Sequence, residues 1–104
     1  LLRVETEDWR LVQKAGVPHP DYFVGRFFGV EMLTLERLLR ILGELPPGVT
    51  EMMTHPGLAD ERLLRESSYA VERERELELL CHPQVREKVS ELGIELVNFS
   101  VLAR

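Results

Sequence analysis

His55 is the residue that type and context best suit to chemistry. It closes the run Val49-Thr50-Glu51-Met52-Met53-Thr54-His55 and opens His55-Pro56-Gly57. A histidine can give or take a proton near neutral pH. If the run is a regular strand, alternation puts Val49, Glu51, Met53 and His55 on one face. An acid and a histidine then point the same way, with His55 at the carboxyl end of the strand. In parallel α/β folds, ligands bind at that end. Pro56-Gly57 is expected to turn the chain sharply, and Gly57 to let a ligand come close to the backbone. A strand-end histidine hydrogen-bonded to a neighbouring loop would have the same sequence. A lone His-Pro-Gly does not separate the two.

Arg73 and Glu76 are the second pair. On a helix, Tyr69, Arg73, Glu76, Leu77 and Leu80 fall on one face. Two charges then sit on the stripe that should be buried, three residues apart and able to pair. One reading is an inward salt bridge that orients the helix. The other has Arg73 reaching a site, to orient a carboxylate or an oxyanion.

Asp21 follows His19-Pro20 and precedes a strand signal, as a turn former or a site-lining acid. His19 and His82 each precede a proline and have no partner at metal-ligand spacing, so no HxH or HxxxH site is present. Cys81, the single cysteine, excludes an internal disulfide framework and a cysteine zinc cluster. Its place at a helix junction predicts a buried, inert thiol. Gly25-Arg26-Phe27-Phe28-Gly29 lacks the GxGxxG form of a phosphate loop. Trp9, Phe27 and Phe28 could stack on a sugar ring, although core packing is the simpler role.

The elements that must position these groups lie between four breaks: Gly16–Asp21, Leu45–Gly48, His55–Gly57 and Cys81–Pro83. Trp9 to Lys14 reads as the tail of a helix, with Gly16 past its end. Tyr22-Phe23-Val24-Gly25 reads as a strand. Thr34 can cap a helix whose apolar stripe is Leu35, Leu38, Leu39 and Leu42, with Gly43 at the stop. Val49 to Thr54 reads as a strand. Tyr69 to Leu80 is helical. Pro83 opens another helix lined by Val85, Val89 and Leu92. Ile94 to Phe99 reads as a last strand. The order β-α-β-α-α-β argues for an α/β domain with parallel strands covered by helices.

With 104 residues the chain holds one α/β unit. A closed β/α barrel usually takes about 250 residues. Thirteen basic residues against eighteen acidic ones give a net charge of −5, so no basic stripe awaits a nucleic acid. No apolar run is long enough to span a bilayer. The single cysteine fits a reducing, cytoplasmic setting. The first residue is Leu1, which raises the expectation that the chain begins inside a longer gene product.

Four segments, in order and in register, carry a resemblance. Gly16-Val17-Pro18-His19-Pro20-Asp21-Tyr22-Phe23-Val24-Gly25 resembles the "G-[IV]-x-x-P-D-x-F-x-G" element of the YdjC-like (ChbG/HpnK) carbohydrate deacetylase family. Leu45 through Gly57 resembles its "LPxGxTExMxHPG" element, and Ser68 through Leu80 its "SYxxxRExELxxL" element. Gly93 through Phe99 resembles its closing "GIxLxxF".

The resemblance implies a distorted β/α barrel, of which this chain would be the carboxyl-terminal part. It implies removal of acetyl groups from N-acetylated sugars, of chitooligosaccharide or glycolipid type. It also implies a divalent metal, Mg or Zn, held by one aspartate and two histidines. Those ligands belong to segments that this sequence does not contain, so no metal ligand is assigned here. On the matching positions, the resemblance implies that His55 lines the active site as candidate general acid. Arg73 would support a catalytic carboxylate, Glu51 would orient His55 or line the site, and Asp21 would take a structural or site-lining role. Gly57, at the turn beside His55, is expected to line the substrate site as well. The partner is then an N-acetylated sugar, and the chain alone is expected to be inactive. The rival expectation is a stand-alone, non-catalytic α/β remnant that dimerises or binds a partner.

Overall fold

A computed structural model describes residues 7–25 and 33–103. Helix α1 (Glu7–Lys14) ends at Gly16, whose φ is 70°. The Val17 N–H returns to the Val12 carbonyl, the bond that caps a helix through a left-handed residue. Strand β1 (Tyr22–Val24) pairs in parallel with β2 (Thr50–Met52), in the register Tyr22–Thr50, Phe23–Glu51 and Val24–Met52. Helix α2 (Leu35–Gly43) is the crossover between them. Thr34 caps it, accepting the Arg37 N–H at 3.1 Å. Helices α3 (Glu61–Glu66), α4 (Val71–Leu80) and α5 (Pro83–Glu91) follow. His82 caps α5 through its own ring, with Nδ1 accepting the Gln84 N–H at 3.1 Å.

The core is Leu33, Leu38, Leu79 and Val85, with Leu35, Leu39, Ile41, Leu42, Met52 and Leu80 packed on it. All four leucines of the stripe read from α2 belong to it. Burying such side chains contributes about 1.5–3 kcal/mol each.

Several expectations are corrected. β2 ends at Met52, although the Met53 N–H still reaches the Val24 carbonyl at 2.9 Å. Ile94 to Phe99 is not a strand; the segment is irregular and runs into a 3-10 helix, Phe99–Leu102. Apolar β-branched composition permits a strand, but without a ladder partner none forms. Helix α3 is an element the sequence pattern does not announce by periodicity: it is short, buries no residue and is marked chiefly by its cap, where Asp60 accepts the Leu63 N–H. Leu92, expected on the apolar face of α5, is exposed. Cys81 is exposed too: it follows α4 as its C-cap residue and is not packed into the core. Phe27 and Phe28 lie outside the described residues.

The observed unit is thus mixed helix and strand around a two-stranded parallel sheet. No helix among the described residues is long and apolar enough to cross a membrane.

Candidate functional site

The segment from His55 to Ala59 does not turn at Pro56-Gly57; a tight turn comes only at its far end, where the Asp60 N–H donates to the Leu58 carbonyl at 3.2 Å. It runs in extended form beside α4. Three alternate N–H groups of the segment bond to that helix. The His55 N–H donates to Glu76 Oε1 at 2.8 Å. The Gly57 N–H donates to the Arg73 carbonyl at 3.1 Å. The Ala59 N–H donates to Glu74 Oε1 at 2.8 Å. Alternation is the period of an extended chain, so one side of the segment faces the helix throughout. Gly57 is therefore not the expected sharp turn. A Cβ built on it would meet the Arg73 Cβ and Cδ at 3.8 Å, an ordinary contact.

Tyr69 is the hub. The His55 ring stands edge-on to it, with centroids 5.9 Å apart. The Arg73 guanidinium carbon lies 5.6 Å from the Tyr69 centroid, and Arg73 Nε donates to the Tyr69 carbonyl at 2.7 Å. The Tyr69 hydroxyl donates to Glu76 Oε2 at 2.5 Å. Ser67 braces the approach, accepting the Tyr69 N–H and donating to its carbonyl.

Glu76 is 0% exposed. Both carboxylate oxygens are used, Oε1 by the His55 backbone and Oε2 by the Tyr69 hydroxyl. His55 Nδ1 lies 4.0 Å from Oε1, at ion-pair range when the ring is protonated. The expected pairing of Arg73 with Glu76 is absent. A buried carboxylate needs short bonds on both oxygens, and a rigid N–H and a phenol meet that need.

The structure brings His55, Gly57 and Arg73 together, but not Glu51 or Asp21. Asp21 lies at the amino end of the strands, where its Oδ2 accepts the Val49 N–H at 2.8 Å and ties the Pro46-Pro47-Gly48 turn to β1. His55 lies beyond the carboxyl end. Glu51 faces a different cavity of about 470 Å³, which it lines with Met52, Ile94, Leu96 and Phe99. Its expected face-sharing with His55 fails because regular pairing stops before His55.

Tyr69 and Glu76 were legible as members of an inward stripe, not as neighbours of His55. The signal was the charge on that stripe. Among the described residues no group of three or more His, Cys, Asp or Glu side chains is arranged to hold a metal ion. The donors present do not fit the Mg or Zn ion that the resemblance implies, and no step is assigned to one on this chain.

Comparison with known proteins covers the first three of the four motifs in one family match. The model of the YdjC-like protein family matches residues 2–91. A carbohydrate deacetylase of Thermoanaerobacter pseudethanolicus is 37% identical over 95 residues, which is 91% of this chain and 38% of that protein. One from Clostridium beijerinckii is 36% identical, over 74% of this chain and 32% of the relative. Carbohydrate deacetylase 2 of Listeria innocua is 39% identical, over 86% and 42%. The chain thus spans about a third to two-fifths of the length of these relatives. No solved structure matches it. With a family model covering most of its length and these relatives alongside, the chain belongs to the YdjC-like family.

Proposed function

We propose that this chain is the carboxyl-terminal portion of a metal-dependent hydrolase that removes acetyl groups from N-acetylated sugars, of chitooligosaccharide or glycolipid type. The observation that supports this most is the state of His55. Its backbone is held by a buried carboxylate, while its side chain keeps 32% exposure. A proton donor needs that combination of fixed position and open face.

In the reaction a water oxygen would bond to the acetyl carbon, its proton passing to a carboxylate of the complete site, and the carbon–nitrogen bond would break. The leaving nitrogen takes a proton. Protonated His55 supplies it and becomes neutral imidazole. Arg73, across Tyr69 from His55, supports a carboxylate of the complete site. The metal belongs to residues outside this chain, where it would activate the water. A single α/β unit within a partial β/α barrel is the architecture we attach to this reading, in a cytoplasmic setting. The parallel strands with a helical crossover support the barrel, and the lone cysteine supports the compartment.

The test is His55→Ala in the full-length protein, assayed by acetate release from N-acetylglucosamine oligomers. A fall in kcat of about 100-fold or more is expected, with KM little changed. Wild-type kcat would remove His55 from the chemistry.

One observation favours a second reading, a non-catalytic module that dimerises. Leu96 is 84% exposed and Phe99 64% exposed. Sedimentation of the chain decides it: a dimer that dissociates in a Leu96→Ser, Phe99→Ser variant supports this reading, and a monomer at every concentration ends it.

A further inference from the structure

We propose that Glu76 is the positioning residue for His55. The inference rests on the proposed role of His55 as proton donor and adds the group that sets its pose. Glu76 is 0% exposed and stands in the middle of α4, far in sequence from the His-Pro-Gly element. Such a carboxylate is costly unless it is fully bonded. Its two oxygens do two different things to one residue. Oε1 holds the His55 N–H at 2.8 Å and so fixes the backbone. Oε2 takes the Tyr69 hydroxyl at 2.5 Å, and the ring of Tyr69 stands edge-on to the imidazole. The same Oε1 is 4.0 Å from His55 Nδ1, so one carboxylate oxygen stands beside both the backbone and the ring of His55.

The remainder of α4 acts in the same direction. The Arg73 carbonyl and the Glu74 carboxylate hold the Gly57 and Ala59 N–H groups. With Pro56 having no N–H to offer, the extended segment is gripped at every second residue, starting with Glu76 on His55. Its position therefore follows the helix, not the end of β2. Glu76 acts on the chemistry through His55 and is not itself a catalytic residue.

Two measurements test this. The first is amide hydrogen exchange by NMR in the full-length protein. In Glu76→Gln the His55 amide should exchange about ten-fold faster, because a neutral carbonyl accepts less strongly than a carboxylate. The amides of Leu79 and Val85 should keep their rates. The second is steady-state kinetics of acetate release in the full-length protein. Glu76→Gln should lower kcat about ten-fold or more with KM within about two-fold, since position at the reacting atoms is lost and not sugar binding. An unchanged His55 amide, or an unchanged kcat, overturns the proposal. If Leu79 and Val85 also exchange faster, the fold has loosened and Tyr69→Phe takes over the test. That variant keeps the charge and removes one bond, and a fall in kcat at constant KM supports the proposal while wild-type kcat ends it. Should His55→Ala keep full activity, the proton-donor role fails, and the exchange result still decides whether Glu76 sets the pose.

Discussion

Two glycines that look alike in the sequence behave differently in the structure. Gly48 has φ of 123°, and a Cβ built on it would lie 2.8 Å from Asp21 Oδ2. Gly57 has neither problem: its φ is not positive, and its nearest neighbours leave ordinary contact distances. Gly48→Ala should therefore cost about 2 kcal/mol or more, from backbone strain and from displacing the Asp21 carboxylate. Gly57→Ala should stay within about 0.5 kcal/mol. Urea unfolding of the two variants side by side checks both. The lesson extends to the charged pair. Arg73 and Glu76 are correctly spaced for each other, but Arg73 turns to the Tyr69 ring and carbonyl while Glu76 turns inward. Spacing shows which groups are able to meet. Competition among all available partners decides which do.

At the scale of elements, local signals were read well where they are self-contained. Thr34 before α2, Pro83 at the start of α5 and Gly16 after α1 all stand where caps and stops should stand. Each acts within a few residues, so the sequence carries the whole mechanism. Strands were read less well, since a strand exists only through its partner. β2 stopped early, and Ile94 to Phe99 made no ladder. Asp21 is an intermediate case. It joins β1 to the turn before β2 by a bond spanning 28 residues. Asp21→Ala should lower stability by about 1 kcal/mol, because water replaces part of a bond at an exposed site. A shift of the urea midpoint with unchanged slope is the expected signature.

For the molecule as a whole, the sheet is the informative feature. Two strands of three residues each carry the only ladder among the described residues, and the core lies against α2, α4 and α5. The proposed function places the metal outside this chain. The isolated 104 residues should then release no acetate from N-acetylglucosamine oligomers with or without added Mg or Zn. Acetate release that follows added metal and is lost in His55→Ala would show that the chain carries a complete site, against the proposal.

Family membership, the capped helices, the leucine stripe of α2 and the parallel order of the first two strands were determined by the sequence alone. Each depends on short-range chemistry or on motifs kept in register. The site's geometry was decided only by tertiary structure. Strand alternation paired His55 with Glu51, and helical spacing paired Arg73 with Glu76. In the fold, His55 leaves the strand and lies along α4, where a carboxylate 21 residues away takes its backbone N–H. No local periodicity encodes that contact. It arises because a buried carboxylate must find donors, and the packed helix presents it to a backbone N–H beyond the end of the ladder.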